Sequence, residues 1–139
     1  MLSVVIPSYN DAKKISLAIA SADQIKYVDE IIVVDDDSPD NTWKLVQNYR
    51  DERVQVLRRI GRRGLSSAVV EGFSHACGQI LAVMDADMQH DERVLPKMLA
   101  IILEENNGIV IGSRNVVDGG IENWSRIRHG ISAGATWIT

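Results

Sequence analysis

Runs of β-branched residues that stay apolar at consecutive positions constrain the fold of this chain more than any other feature. Val4-Val5-Ile6 and Ile31-Ile32-Val33-Val34 have no polar face. A strand with one side in water would alternate, so strands of this kind belong in a parallel sheet covered by helices on both faces. Residues 2–7, 30–35, 54–58, 80–85 and 108–113 read as five strands. Segments of helical length and spacing lie between them, at 11–22, 40–49, 64–76 and 91–104, with Asp40 and Asp91 suited to cap the second and fourth. The alternation predicts an α/β fold, a doubly wound and mainly parallel sheet with right-handed crossovers. At 139 residues the chain has the size of one domain, residues 1–139, and it carries no repeat, low-complexity tract or linker.

Aromatic residues make up only 5% of the chain, so the core must be built from Val, Ile, Leu and Ala. Fifteen Lys and Arg against nineteen Asp and Glu give a net charge of −4, which argues against a general nucleic-acid binder. The single cysteine, Cys77, permits no internal disulfide and points to a reducing compartment. It is expected as a small buried apolar residue at a helix end. Leu2–Ile6 follows Met1 directly, unlike a signal peptide, and no apolar run approaches the ~20 residues of a membrane span.

In doubly wound sheets ligands sit beyond the carboxyl ends of the strands, where strand order reverses. The polar chemistry of this sequence gathers there. The first strand runs into Pro7-Ser8-Tyr9-Asn10, the second into Asp35-Asp36-Asp37-Ser38, the fourth into Asp85-Ala86-Asp87-Met88-Gln89, and the fifth into Gly112-Ser113-Arg114. In extended backbone Asp85 and Asp87 share a side, roughly 7 Å apart. Two carboxylates so close are costly to ionise together without a cation. A hard divalent ion, Mg²⁺ or Mn²⁺, meets that need and keeps positions open for phosphate oxygens. Gln89 adds a neutral oxygen ligand, whereas His90 suits softer metals and is left out.

Three acids in a row at 35–37 cannot all face one ligand, so at least one must turn to solvent or cap a turn. One carboxylate at this strand end is placed to hydrogen-bond ribose hydroxyls or a base edge. Ser38 and Asp40 read as turn and helix-start residues. In the basic stretch 58–64, Arg58 and Arg59 read as a solvated loop, while Arg62 and Arg63 stand beside a helix start that opens on glycine and can reach an anion. Arg114, after the fifth strand, is the stronger phosphate candidate.

Val4-Val5-Ile6-Pro7-Ser8-Tyr9-Asn10, residues 31–42 and Asp85-Ala86-Asp87 occur in the order and context of the inverting family 2 glycosyltransferases of the GT-A fold, which this chain resembles. Within the family it is most similar to the dolichol- or polyprenol-phosphate mannosyltransferases. That similarity is carried by Asp-Asp-Asp-Ser-Pro-Asp at 35–40, Arg-Gly-Leu-Ser-Ser-Ala at 63–68, Asp-Ala-Asp-Met-Gln-His-Asp at 85–91, Gly-Ser-Arg at 112–114 and residues 119–128. Asn41 replaces a frequent Gly but tolerates the same left-handed backbone.

The resemblance implies transfer of a sugar, mannose from GDP-mannose, to a polyprenyl or dolichyl phosphate. By matching position, Pro7, Tyr9, Asp11, Val34 and Asp36 would hold the nucleoside, and Asp85 and Ala86 would lie along the sugar nucleotide. Asp87 and Gln89 would bind the metal, and Arg114 would meet phosphate charge, with Asp87 and Arg114 as the catalytic pair. The family's catalytic domain continues past the position of Thr139, so the expectation is that the C-terminal part of the fold is missing and that residues 121–139 begin an acceptor-side or interfacial helical region. Within it, the stretch from Trp124 to Ile138 reads as amphipathic, which suits a membrane surface or a core helix, and the protein is expected in the cytoplasm, peripheral at the cytoplasmic face of a membrane. A phosphate acceptor is largely dianionic at neutral pH and needs no strong general base, which matches a site with no evident catalytic His. Two other readings remain open. One is a catalytically silent nucleotide-sugar-binding fragment. The other is a receiver-type signalling domain, although that fold has its acid pair after strand 1 and a Lys after strand 5, where this chain has Pro7-Ser8-Tyr9-Asn10 and Ser113-Arg114.

Overall fold

The computed structural model describes residues 1–88, 94–105 and 108–112. Four strands, β1 (Leu2–Ser8), β2 (Val28–Asp35), β3 (Val54–Arg58) and β4 (Ile80–Val83), alternate with four helices, α1 (Ile15–Asp23), α2 (Thr42–Gln47), α3 (Leu65–His75) and α4 (Leu95–Glu105). The sheet runs β3-β2-β1-β4 and every pairing is parallel. The chain winds outward from β1 through β2 to β3, then returns to place β4 on the other side of β1. The order therefore reverses at β1, and all the carboxyl ends lie along one edge.

The unbroken apolar runs are explained by the two faces they serve. Val4, Ile6, Ile31 and Val33 join Ile15, Ala18, Ile19 and Ala22 of α1, Val46 of α2 and Leu99 of α4 in one cluster. The intervening Val5, Ile32 and Val34 meet Ala68 of α3, with Leu57 and Phe73 packed around them. Successive residues of a strand point to opposite faces, so each run fills two cores at once. Gly72 lets α3 approach the sheet: a Cβ there would stand 2.4 Å from Val5 Cγ1 and 3.1 Å from Val34 Cγ2.

At the amino-terminal edge of the sheet, buried Glu30 ties three strands together. Its Oε2 accepts from Ser3 Oγ at 2.5 Å and from the Cys77 N–H at 2.9 Å, and its Oε1 accepts from Gln55 Nε2 at 3.2 Å. Cys77 itself is exposed, which corrects the expectation of a buried thiol. It lies just past α3, where the chain turns toward β4, and its N–H rather than its side chain makes the inward contact.

Two other expectations shift. Residues 11–14 form a turn closed by the Lys14 N–H to Asp11 O bond at 2.8 Å, and α1 begins only at Ile15. Residues 108–112 form no strand: Ile109 and Ile111 are exposed, and β4 pairs only with β1 among the described residues. A short β-branched segment needs a neighbouring strand to become one, and propensity alone does not supply it. Ser113 and the expected cap Asp91 lie outside the described residues, as do residues 121–139.

Candidate functional site

The loops that follow β1 and β2 are joined by three consecutive backbone N–H groups. Asn10 donates to Ser38 Oγ, Asp11 to Thr42 Oγ1 and Ala12 to Asp40 Oδ2, each at 3.0 Å. Asn10 has φ 62, a left-handed turn that Asn adopts more readily than most residues. Asp40 also accepts from Thr42 N at 3.0 Å and Thr42 Oγ1 at 2.6 Å, so it serves the start of α2 as its sequence position suggests. The cap position is Asn41, left-handed at φ 63.

Asp35, Asp36 and Asp37 have three different environments. Asp35 is fully buried; its Oδ1 accepts from Ser38 N at 2.8 Å and its Oδ2 from Ser38 Oγ at 2.6 Å. Burial pushes its carboxyl above the ordinary value, against the lowering effect of the Ser38 hydrogen bonds. Asp37 pairs at the surface with Arg58 at 2.6 Å, and that guanidinium lies 3.9 Å over the Trp43 ring. Asp36 is buried at 6% exposure between these two. Its N–H donates to Ser8 O at 3.1 Å, and its Oδ2 accepts from the Gly64 N–H at 2.8 Å.

Asp36 borders two clefts. One, of about 130 Å³, is lined by Pro7, Ser8, Tyr9, Asp36, Leu65 and Ala68. The other, of about 380 Å³, is lined by Asp36, Asp37, Gly61, Arg62 and Arg63. Arg63 crosses between them, with its guanidinium 4.4 Å over the Tyr9 ring. Together they offer apolar and aromatic walls, the acids Asp36 and Asp37 and a cationic rim, a combination suited to a flat polar ring bearing an anionic group.

The end of β4 supplies the second part of the site. The Met84 N–H continues the ladder onto Val5 O at 3.0 Å. Burial then alternates: Met84 and Ala86 enter the core, while Asp85 and Asp87 stay partly exposed. Lys14 Nζ donates to Asp87 O at 3.2 Å, tying the start of α1 to this loop. Among the described residues no group of three or more His, Cys, Asp or Glu side chains is gathered as a metal centre. The expected set draws only Asp87 from the described residues, since Gln89 lies outside them, as does Arg114. The oxygen chemistry at Asp85 and Asp87 fits a hard divalent cation.

The structure therefore brings Pro7, Tyr9 and Asp36 to one cleft. Asp11 stands beside it as a brace, its Oδ2 accepting from Ser8 Oγ at 3.1 Å and Tyr9 N at 3.0 Å. Val34 is a core residue beneath it. Sequence reasoning misses Arg59: expected in a solvated loop, it is only 2% exposed. Its Nη1 stands 2.9 Å from Asp36 Oδ1 and its Nε 3.2 Å from Glu71 Oε2. A buried carboxylate calls for a cation, but which of two adjacent arginines supplies it depends on strand register.

Residues 3–137 match the model of the family described as Glycosyl transferase family 2. The chain is 43% identical over 99% of its length to a dolichol-phosphate mannosyltransferase of Pyrococcus furiosus, covering 40% of that protein. It is 34% identical over 92% of its length to an undecaprenyl-phosphate mannosyltransferase of Micrococcus luteus, covering 54% of it. It thus spans about half the length, or less, of these relatives. A mannosyltransferase from Pyrobaculum calidifontis, solved in complex with GDP-mannose and Mn²⁺, superposes with a TM-score of 0.64 at 25% identity, over 73% of this chain and 32% of that one.

Proposed function

Because the chain belongs to glycosyl transferase family 2, we propose that it forms the donor-binding part of a transferase that moves mannose from GDP-mannose to a polyprenyl or dolichyl phosphate, with inversion. The observation that carries this reading is the meeting of Pro7, Tyr9 and Asp36 around one cleft at the same sheet edge as Asp85-Ala86-Asp87. The neighbour solved with GDP-mannose and Mn²⁺ supports the same donor and metal, and the relatives named for dolichol- and undecaprenyl-phosphate support the acceptor.

In this reading Pro7 and Tyr9 form an apolar floor for the nucleoside and Asp36 accepts a hydrogen bond from it. Asp11 keeps the β1 loop closed, and Val34 fixes the strand from which Asp36 projects. Asp85 and Ala86 lie along the sugar nucleotide. Asp87 and Gln89 hold Mg²⁺ or Mn²⁺, which when bound neutralises diphosphate charge. Arg114 adds positive charge on the leaving group. A dianionic phosphate acceptor attacks without a general base. A lipid-linked acceptor places the work at a membrane surface, and no described helix is long and apolar enough to cross one.

A GDP titration with Mn²⁺ tests this. EDTA should weaken binding sharply, and Asp87→Ala should weaken it by about 10–100-fold, as disturbing a metal shell does. Asp37→Ala should matter little, because its partner is the exposed Arg58 and such surface pairs contribute only about 0–1 kcal/mol. Equal losses from the two substitutions would remove the metal role from Asp87.

A second reading, for these 139 residues taken alone, is donor binding without transfer, since they span 40–54% of the relatives' length.

A further inference from the structure

Arg59 is the one buried cation among the described residues. Burying a guanidinium is unfavourable unless charge and donors both find partners. Here Nη1 donates to Gly64 O at 3.2 Å, Nη2 donates to Ser67 Oγ at 2.7 Å, and the two acids, Asp36 and Glu71, balance the charge. The geometry is uneven. Asp36 Oδ1 and Arg59 Nε lie within ion-pairing distance of their partners, yet neither makes a directed hydrogen bond. Asp36 Oδ2, by contrast, is fixed by the Gly64 N–H. One oxygen of the carboxylate is thus anchored by a directed bond, while the other is buried against the Arg59 guanidinium and held by charge.

We propose that Arg59 is a positioning residue for nucleoside recognition. It holds the Asp36 carboxylate, which lines both clefts, in the orientation in which it would meet a hydrogen-bond donor of a nucleoside diphosphate. Through Gly64 and Ser67 it fixes the same carboxylate to the start of α3, which carries Leu65 and Ala68 on the cleft wall. This rests on the donor-binding reading above, in which Asp36 touches the nucleoside. A purely structural Arg59 would also tie β3 to α3, but its loss would act on nucleotide binding whether or not Asp36 were present.

The test is a calorimetric titration of the 139-residue chain with GDP and Mn²⁺, each variant first shown to be folded by its far-UV spectrum and thermal midpoint. Arg59→Met should raise Kd about tenfold, the scale of losing one hydrogen bond to a charged group. Arg59→Lys, which keeps the charge without the planar fork, should recover part of it. In an Asp36→Ala background Arg59→Met should change Kd by less than roughly twofold, because coupled residues are not additive. A tenfold loss in both backgrounds, or none in either while Asp36→Ala alone weakens binding, would overturn the proposal. Asp36→Ala without effect, or an unmodified chain that does not bind GDP, would instead remove the donor-binding reading beneath it, and the role of Arg59 with it. Should Arg59→Met not fold, Arg59→Lys decides: a several-fold rise that disappears on Asp36→Ala supports the role, and an unchanged Kd rejects it.

Discussion

Asp35, Asp36 and Asp37 are chemically identical neighbours, and what separates them is where their partners lie. Asp35 turns inward onto Ser38, Asp36 meets Arg59 and Gly64, and Asp37 reaches the exposed Arg58. Sequence allowed the inference that the three could not share one ligand. It did not assign them, because the assignment depends on which β3 residue stands beside each acid. Register pairs Asp35 with Arg58, and the Arg59 N–H extends that ladder to Asp35 O at 2.8 Å. The side chain of Arg59 is thereby turned inward while that of Arg58 stays at the surface. Asp35 also carries a pH signature. Burial raises its native value above the ordinary 3.8, so its favourable contribution is fully present below the unfolded-state value and is lost as pH rises through the native one. Urea unfolding of the natural chain and of Asp35→Asn should therefore show the natural chain losing stability relative to the variant as pH rises from about 4. Subtracting the two curves cancels the titrating groups that do not interact with Asp35, so the difference belongs to Asp35 together with Asp36 and Asp40, whose charges act on it. A difference that is flat with pH, or that grows, would contradict the burial argument.

The elements that sequence placed well are those whose pattern is satisfied within the core. The runs at Val4-Val5-Ile6 and Ile31-Ile32-Val33-Val34 need two covered faces, and both are present. The segment at 108–112 shows the converse, since Ile109-Val110-Ile111 has the composition of a strand but no pairing partner among the described residues. Helix starts were legible only to within a few residues, because local polar turns around Asp11 and Asp40 compete with the helix for the same backbone groups. Close approach between elements was not legible. A glycine within a helix normally costs about 1 kcal/mol relative to Ala, so Gly72→Ala looks favourable from propensity. Against the sheet it is not, with the new Cβ 2.4 Å from Val5 Cγ1. Overpacking of this kind costs about 1–3 kcal/mol, and the packing loss should exceed the propensity gain, leaving Gly72→Ala less stable by up to about 2 kcal/mol. A lower urea midpoint with an unchanged denaturant slope is the expected result. A midpoint at or above that of the natural chain would mean that α3 can shift away from β1 and β2 at little cost.

At the scale of the whole molecule, the proposed reading expects binding and transfer to draw on different parts of the relatives' length. The proposed nucleoside residues Pro7, Tyr9, Asp11 and Asp36 and the proposed metal ligands Asp87 and Gln89 all fall within these 139 residues. The chain nevertheless covers only 40% of the Pyrococcus furiosus relative and 54% of the Micrococcus luteus one. Stabilising a departing diphosphate takes several preorganised charges acting together, and losing part of that set lowers the rate far more than it lowers ground-state binding. The expected outcome is metal-dependent GDP binding by the 139-residue chain, within about tenfold of the full-length Pyrococcus furiosus relative measured beside it. Mannosyl transfer to a polyprenyl phosphate should be lower by orders of magnitude. Calorimetry gives the first quantity, and extraction of radiolabelled lipid product after incubation with GDP-mannose gives the second. Should the 139 residues transfer as fast as the full-length relative, the groups that stabilise the leaving diphosphate must all lie within them, and Arg114 with the metal pair would have to suffice. If GDP binding is lost along with transfer, nucleoside recognition cannot reside in the β1, β2 and β4 strand ends alone.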